Sequence, residues 1–221
     1  MKKILQSYFT ALLREKTGLD TSTAVPELTM QLAEKLLERV INIKLYAHSY
    51  AFVLNFTHGS FDIHGLLDYA HQEALDGISI HIDSGGPRSL RNMSQAQLCE
   101  VHDRATSLGL GIHLELSTTV REDINCVVDI ARRLAVNTIR IYLRYGGRVS
   151  SIIERGLEDL QEIAKLAKLH DLHFVLEQHE DLKSCELVEI IQRIASSRVQ
   201  GSVKYFSHIL YKVVSLTFVF Q

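Results

Sequence analysis

The 221-residue sequence is short of structure breakers, with 2 prolines and 12 glycines. Long stretches can therefore run as regular elements, and the length suits one domain with an appendage. Cysteine is scarce as well: Cys99, Cys126 and Cys185 are widely spaced and form no CxxC pair. That excludes a zinc knuckle and a disulfide framework, and it makes a reducing cytoplasm the natural setting. There is no excess of charge of one sign. With 24 basic against 26 acidic residues and a net charge of −2, nothing advertises nucleic acid or an anionic membrane as partner. The start MKKILQSYFTALLREK opens basic, but Gln6, Ser7 and Thr10 break its apolar stretch and Arg14 to Lys16 stop it. It reads as an amphipathic helix rather than a signal peptide. The apolar tail from Val203 to Phe220 is interrupted by Lys204, His208 and Lys212, short of the ~20 largely apolar residues of a membrane span. No HExxH, GxGxxG, Walker or GxSxG pattern occurs, which speaks against a zinc-protease helix, a dinucleotide or P-loop site and a serine hydrolase.

What is present is a rhythm. Residues 1–45 read as helical: Ile4, Leu5, Tyr8 and Leu12 share a face, and Pro26-Glu27 opens a second helix carrying Leu32, Leu36, Val40 and Ile43. From Tyr46 short β-rich runs alternate with longer helical ones. Strands are expected at Tyr50 to Phe56, Ile78 to Asp83, Gly111 to Leu116, Thr138 to Leu143 and His173 to Glu177, with a sixth starting near Gly201. Helices are expected at Ser94 to Leu108 and Ser151 to Leu169. Gly77, Gly109 and Gly111 sit where αβ turns often need left-handed geometry, and Gly85-Gly86 and Gly146-Gly147 read as flexible βα loops. Repeated βα units imply parallel strands with right-handed crossovers. Alternate strand residues point opposite ways, and here one face is apolar and the other polar. Ile78, Ile80 and Ile82 oppose Ser79, His81 and Asp83; Ile139, Ile141 and Leu143 oppose Arg140, Tyr142 and Arg144. Helices cover both sides of a doubly wound sheet, so its strands are apolar throughout. A barrel needs only apolar outer faces, and its lumen can be polar. The expectation is an α/β fold: a partial (β/α) TIM-type barrel of about five to six βα units, preceded by N-terminal helices. Its segments are 1–45 helical, 46–200 barrel and 201–221 an apolar tail. A full barrel takes about 250 residues, so a fragment, a half-barrel completed by a partner, or a frameshifted product with a foreign tail is expected. Unpaired barrel edges favour self-association.

Active sites of such barrels lie at the carboxyl ends of the strands. There the sequence places His81 and Asp83, His113 and Glu115, Arg140 with Tyr142, and then Glu177-Gln178-His179-Glu180-Asp181. Buried charges are costly unless paired or used, so a functional pocket competes with a rim of plain ion pairs, Glu115 with Arg140 or Glu177 with Arg140 or Arg144. Glu177 ends an apolar strand and is the foremost candidate, since a desolvated carboxylate binds a hard divalent ion or serves as a base. His179 is a candidate ligand or substrate contact.

The runs SYAFVLNF, GISIHIDSGG, GIHLEL and FVLEQHEDLKSCELVEII resemble the xylose isomerase-like barrels, over roughly Tyr46 to Arg198. The resemblance implies a metal-dependent isomerase or epimerase of a sugar or sugar-derived acid, working through an enediolate. Glu177 would be both catalytic acid/base and ligand of a divalent ion (Mn, Mg, Co or Zn). His81, Asp83, Glu115, Arg140, Tyr142 and His179 would contact substrate. A decarboxylase or aldol-type lyase on the same scaffold, or a non-catalytic truncated barrel, are the alternatives; a repair endonuclease is disfavoured by the acidic balance. The sequence departs from the family at strand six, Gly201 to Phe206, which has no aspartate, and strands seven and eight have no visible counterpart. An isolated chain of this kind is expected to lack part of its metal site.

Overall fold

The computed structural model describes residues 44–59, 61–178, 182–204 and 217–219. The chain divides into two units, Met1–Lys44 and Leu45–Gln221, and everything below concerns the second. The expected N-terminal helices lie outside the described residues, as does most of the apolar tail.

Six parallel strands form the sheet in chain order: β1 (Tyr46–His48), β2 (Gly77–His81), β3 (Gly111–Leu116), β4 (Thr138–Ile141), β5 (His173–Glu177) and β6 (Val199–Lys204). A short β7 (Thr217–Val219) adds antiparallel to β6. The strands are linked by helices α1 (Val53–Thr57), α2 (Ile63–Gln72), α3 (Gln95–Ser107), α4 (Arg121–Arg133), α5 (Val149–His170) and α6 (Ser184–Ile194). Among the described residues the sheet is open, a partial (β/α) barrel.

Register sorts the side chains into two layers. Ile80, Leu114, Ile139, Phe174 and Val199 are aligned across β2 to β6 and are all buried beneath the helices. Each contributes about 1.5–3 kcal/mol of hydrophobic stabilisation. One residue along, His81, Glu115, Arg140, Val175 and Gln200 form an aligned row on the opposite, lumen-facing side. The apolar-out, polar-in reading of the strands therefore holds, with Val175 the apolar exception.

The helix ends repeat a motif. Leu75, Leu110, Val136 and Leu172 each donate their backbone N–H to the carbonyl five residues back, always an alanine: Ala70, Ala105, Ala131 and Ala167. All four alanines are buried. This is the Schellman closure, in which one residue must be left-handed. At the end of α3 that residue is Gly109 (φ 68°), but at α2, α4 and α5 it is Ala74, Ala135 and Asp171. Glycine was thus needed for turn geometry at only one of the three expected positions. Gly77 and Gly111 serve a different end. A Cβ on Gly77 would lie 2.1 Å from the Gly111 carbonyl oxygen and 2.5 Å from the Tyr46 ring, and one on Gly111 would lie 2.9 Å from the Tyr46 hydroxyl. These glycines let the Tyr46 ring lie across the strand starts, stacked on His113 at 4.1 Å.

The first strand is the main correction. Tyr50 to Phe56, expected as β, is helical: a 3-10 turn over Ser49–Phe52 runs into α1. The His48 ring caps this turn by accepting the Tyr50 N–H. The apolar run has no sheet face to cover, and Tyr50 and Leu54 stay exposed. A short apolar run does not by itself tell helix from strand. The strand that does pair with β2 lies just before it.

Candidate functional site

The lumen row converges on Arg140. Its Nη2 lies 2.5 Å from Glu115 Oε2 and its Nη1 2.7 Å from Glu177 Oε2. Both carboxylates are buried, at 2% and 5% exposure, so each is a charge that only pairing can keep there. Glu115 is held three ways. Besides Arg140, its Oε1 accepts from the Ser79 hydroxyl and lies 2.8 Å from His48 Nε2. Because His48 Nδ1 already accepts the Tyr50 N–H, the ring proton belongs on Nε2 and is donated to Glu115. Arg140 Nη2 and His48 Nε2, 3.2 Å apart, are then two donors side by side on one carboxylate rather than partners. Burial alone would push the Glu115 carboxyl up; the His48 hydrogen bond and the Arg140 charge outweigh it and hold it down at about 2. Arg140 Nε is buried with no hydrogen-bond partner.

Beside this cluster lies a second, uncharged one. His81 accepts the Asp83 N–H at Nδ1, so its Nε2 carries the proton and donates to Ser117 Oγ at 2.7 Å. Tyr142 donates to the same oxygen at 2.5 Å. Burial, ahead of the opposing pull of Asp83 and Glu115, lowers the His81 pKa and favours the neutral ring.

The structure thus brings Glu115, Arg140 and Glu177 together and sets His81 and Tyr142 alongside. Asp83 goes elsewhere. It follows β2 into the loop and pairs with Arg91 at 2.5 Å, and Arg91 pairs in turn with Asp123 at 2.9 Å. His179 lies outside the described residues. The sequence reading did not single out His48, Ser79 and Ser117. His48 was hidden by the misplaced first strand. Ser79 and Ser117 were legible in the strand alternation, on the same face as Glu115, but serine alone gives no chemical signal.

Glu177 was also the expected ligand of a divalent ion, and a hard ion gathers about six oxygens. Across the sheet from Glu177 stands Ser202, not an acid. The Glu177 Oε2 carries Arg140, and among the described residues no three His, Cys, Asp or Glu side chains are grouped so that they could hold a metal ion. The described residues do not fit a divalent ion at Glu177, because a guanidinium stands between the two carboxylates.

No family model matches the chain. The uncharacterized protein YihM of Escherichia coli (strain K12) is 36% identical over 164 residues, covering 74% of this chain and 50% of the relative. A D-psicose 3-epimerase from Clostridium cellulolyticum H10, solved with D-tagatose, superposes with a TM-score of 0.60 over 73% of this chain and 63% of its own, at 16% identity. A protein from Mycobacterium smegmatis solved with magnesium superposes at a TM-score of 0.54 and 14% identity, over 72% and 64% of the two chains; it is a xylose isomerase-like TIM barrel. The fold here is that of the xylose isomerase-like barrels. Identities this low speak for the xylose isomerase-like fold alone. The chain spans about half the length of the curated relative it matches. No helix among the described residues is long and apolar enough to cross a membrane.

Proposed function

We propose that this chain forms the substrate-holding part of an isomerase or epimerase of a sugar or sugar-derived acid, with Glu177 as the proton-transfer group. The observation that carries the reading is the pair of buried carboxylates at the carboxyl ends of β3 and β5, divided by Arg140. The two acids are not equivalent. Glu115, gripped by His48, Ser79 and Arg140 and held down at about 2, is a poor proton acceptor and serves as the fixed counter-charge of Arg140. Glu177 closes its strand at the mouth of the lumen, where a carboxylate can take a proton from the carbon beside a substrate carbonyl. The electron pair then moves onto the carbonyl oxygen as an enediolate. Delivery of a proton to the opposite face of the same carbon gives an epimer, and delivery to the neighbouring carbon gives an isomer. The Ser117 hydroxyl, which accepts from Tyr142, stabilises that oxygen as charge develops on it. A divalent ion would need ligands from outside the described residues, and none of these steps depends on one. Free Cys99, Cys126 and Cys185 suit a reducing cytoplasm.

The test is deuterium exchange into D-tagatose, D-fructose and their 3-epimers in heavy water, followed by proton NMR. Wild-type protein should exchange the proton next to the carbonyl, and Glu177→Gln should slow this by about 100-fold or more. Equal exchange in the variant would move the role to another group. No exchange in the wild type would remove the isomerase reading for this chain.

A further inference from the structure

Ser117 and Tyr142 stand where the sheet gives out. Ser117 is the first residue of the link from β3 to α4, and Tyr142 the first of the link from β4 to α5. Both lie one step beyond the last register pair of the two strands, Leu116 with Ile141. Their meeting, with the Tyr142 hydroxyl on Ser117 Oγ at 2.5 Å, therefore depends on how the two links are held.

Both links are tied to one atom. Two residues past Ser117, Thr119 donates its hydroxyl to Asp159 Oδ2 at 2.7 Å. Three residues past Tyr142, Tyr145 donates its hydroxyl to the same oxygen, and the two hydroxyls touch one another. Thr119 is buried and Tyr145 and Asp159 are half-buried, so water competes weakly for these bonds. Burial, and then the hydrogen bond to Asp159, raise the Tyr145 pKa and keep the phenol a donor. The anchor itself is firmly placed. Asp159 lies on α5 one turn after Gly156, and a Cβ on Gly156 would lie 2.7 Å from Leu143 Cδ1. The missing side chain lets the helix press against the β4 link between Tyr142 and Tyr145. Arg155, from the same helix, lies 4.5 Å over the Tyr145 ring. Beyond Tyr145 the link runs through Gly146 and Gly147, which have no side chain to pack.

From this convergence we infer that Asp159 is a positioning residue of the site: from the helix layer it ties the β3 and β4 links together and so sets the hydrogen bond between Ser117 and Tyr142. It touches no reacting atom. The inference rests on the reading of Ser117 as donor to the developing oxygen, and it says where the effect of Asp159 falls. Binding of substrate draws on many contacts. Stabilising charge in the transition state needs one donor in place, and a misplacement of about 1 Å can cost on the order of 100-fold in rate. Loss of the tie therefore slows the chemistry more than it weakens binding.

The experiment places 3-fluorotyrosine at position 142 of the full 221-residue chain and reads its fluorine resonance, with Ser117→Ala as the reference for a lost Ser117 bond. Asp159→Ala should move the resonance toward the Ser117→Ala position. Asp159→Asn, whose amide oxygen can accept both hydroxyls, should restore it. Tyr145→Phe and Thr119→Val each remove one hydroxyl at nearly constant shape and should give part of the shift, which keeps the test open if Asp159→Ala fails to fold. Glu162→Gln, an exposed change one turn further along α5, should leave the resonance in place. In the deuterium exchange, Asp159→Ala should lower kcat about tenfold or more and change KM by less than about threefold, with Asn recovering most of the loss. A Tyr142 resonance unmoved by Asp159→Ala, Tyr145→Phe and Thr119→Val overturns the inference, and so does a loss of exchange confined to KM. Wild-type protein that exchanges no sugar proton removes the isomerase reading instead, and the fluorine result then decides the role of Asp159 by itself.

Discussion

Two arginines in this protein make the same arrangement in different surroundings. Arg140 bridges Glu115 and Glu177, whose side chains are 3% exposed. Arg91 bridges Asp83 and Asp123, whose side chains are 45% and 31% exposed. The distances are alike, 2.5 and 2.7 Å against 2.5 and 2.9 Å. The surroundings decide what each is worth. At the rim, water solvates whatever the pair does not, so an exposed bridge adds only about 0–1 kcal/mol. In the lumen both acids have given up their water, and losing the partner strands them. The rim bridge ties the loop after β2 to α4; the lumen bridge makes two buried charges tolerable.

The largest test of that contrast is Arg140→Met. It keeps much of the stem and removes the charge, and it should cost about 3–5 kcal/mol in urea unfolding. A loss below about 1 kcal/mol would mean that the lumen bridge behaves like the rim bridge. Next comes acid. The Glu115 carboxyl, 4.5 when free and about 2 in the fold, adds stability that is fully present above about pH 4.5 and is lost as pH falls toward 2. That contribution amounts to about 3 kcal/mol. Glu115→Gln should flatten this acid limb in a pH series of unfolding midpoints. His81 lies between the two bridges: its Nδ1 is 3.6 Å from Asp83, and its register partner on β3 is Glu115. Its pKa is lowered, so the unfolded chain takes up the proton first. Stability should decline gently as pH falls below about 6.5, the free histidine value. His81→Asn should abolish that slope and leave the Glu115 limb in place. The smallest effect belongs to Arg91→Ala, which should cost about 1 kcal/mol or less, and 1 M salt should erase most of it.

Much of the lumen was legible because strand alternation is a strict code. Once Gly111–Leu116 and His173–Glu177 are strands, Glu115 and Glu177 share a face, and the apolar residues between them must point the other way. The bare ion-pair alternative named Glu115 with Arg140 and Glu177 with Arg140, and both pairs form; one guanidinium serving two acids is what the sequence did not reveal. The first strand was illegible for a physical reason. Ser49 to Thr57 has β-prone residues, but a side-chain cap from His48 and the absence of a sheet neighbour make it helix. His48 was lost with it, and with His48 the third grip on Glu115. Asp83 was read one step too far along its strand: β2 ends at His81, and the chain then turns Asp83 out toward Arg91.

The turns at the amino ends of the strands have a consequence for how this chain can change. At Ala74, Ala135 and Ala195 a residue with a side chain sits at φ near +50°, a conformation that costs an L-residue about 1 kcal/mol or more and glycine almost nothing. These positions stand at the end of the barrel away from His81, Glu115 and Glu177. Single changes to glycine there offer thermal headroom that leaves the chemistry untouched. A lineage adapting to heat, or to a burdensome new side chain in the lumen, has three places to find compensation without touching the site.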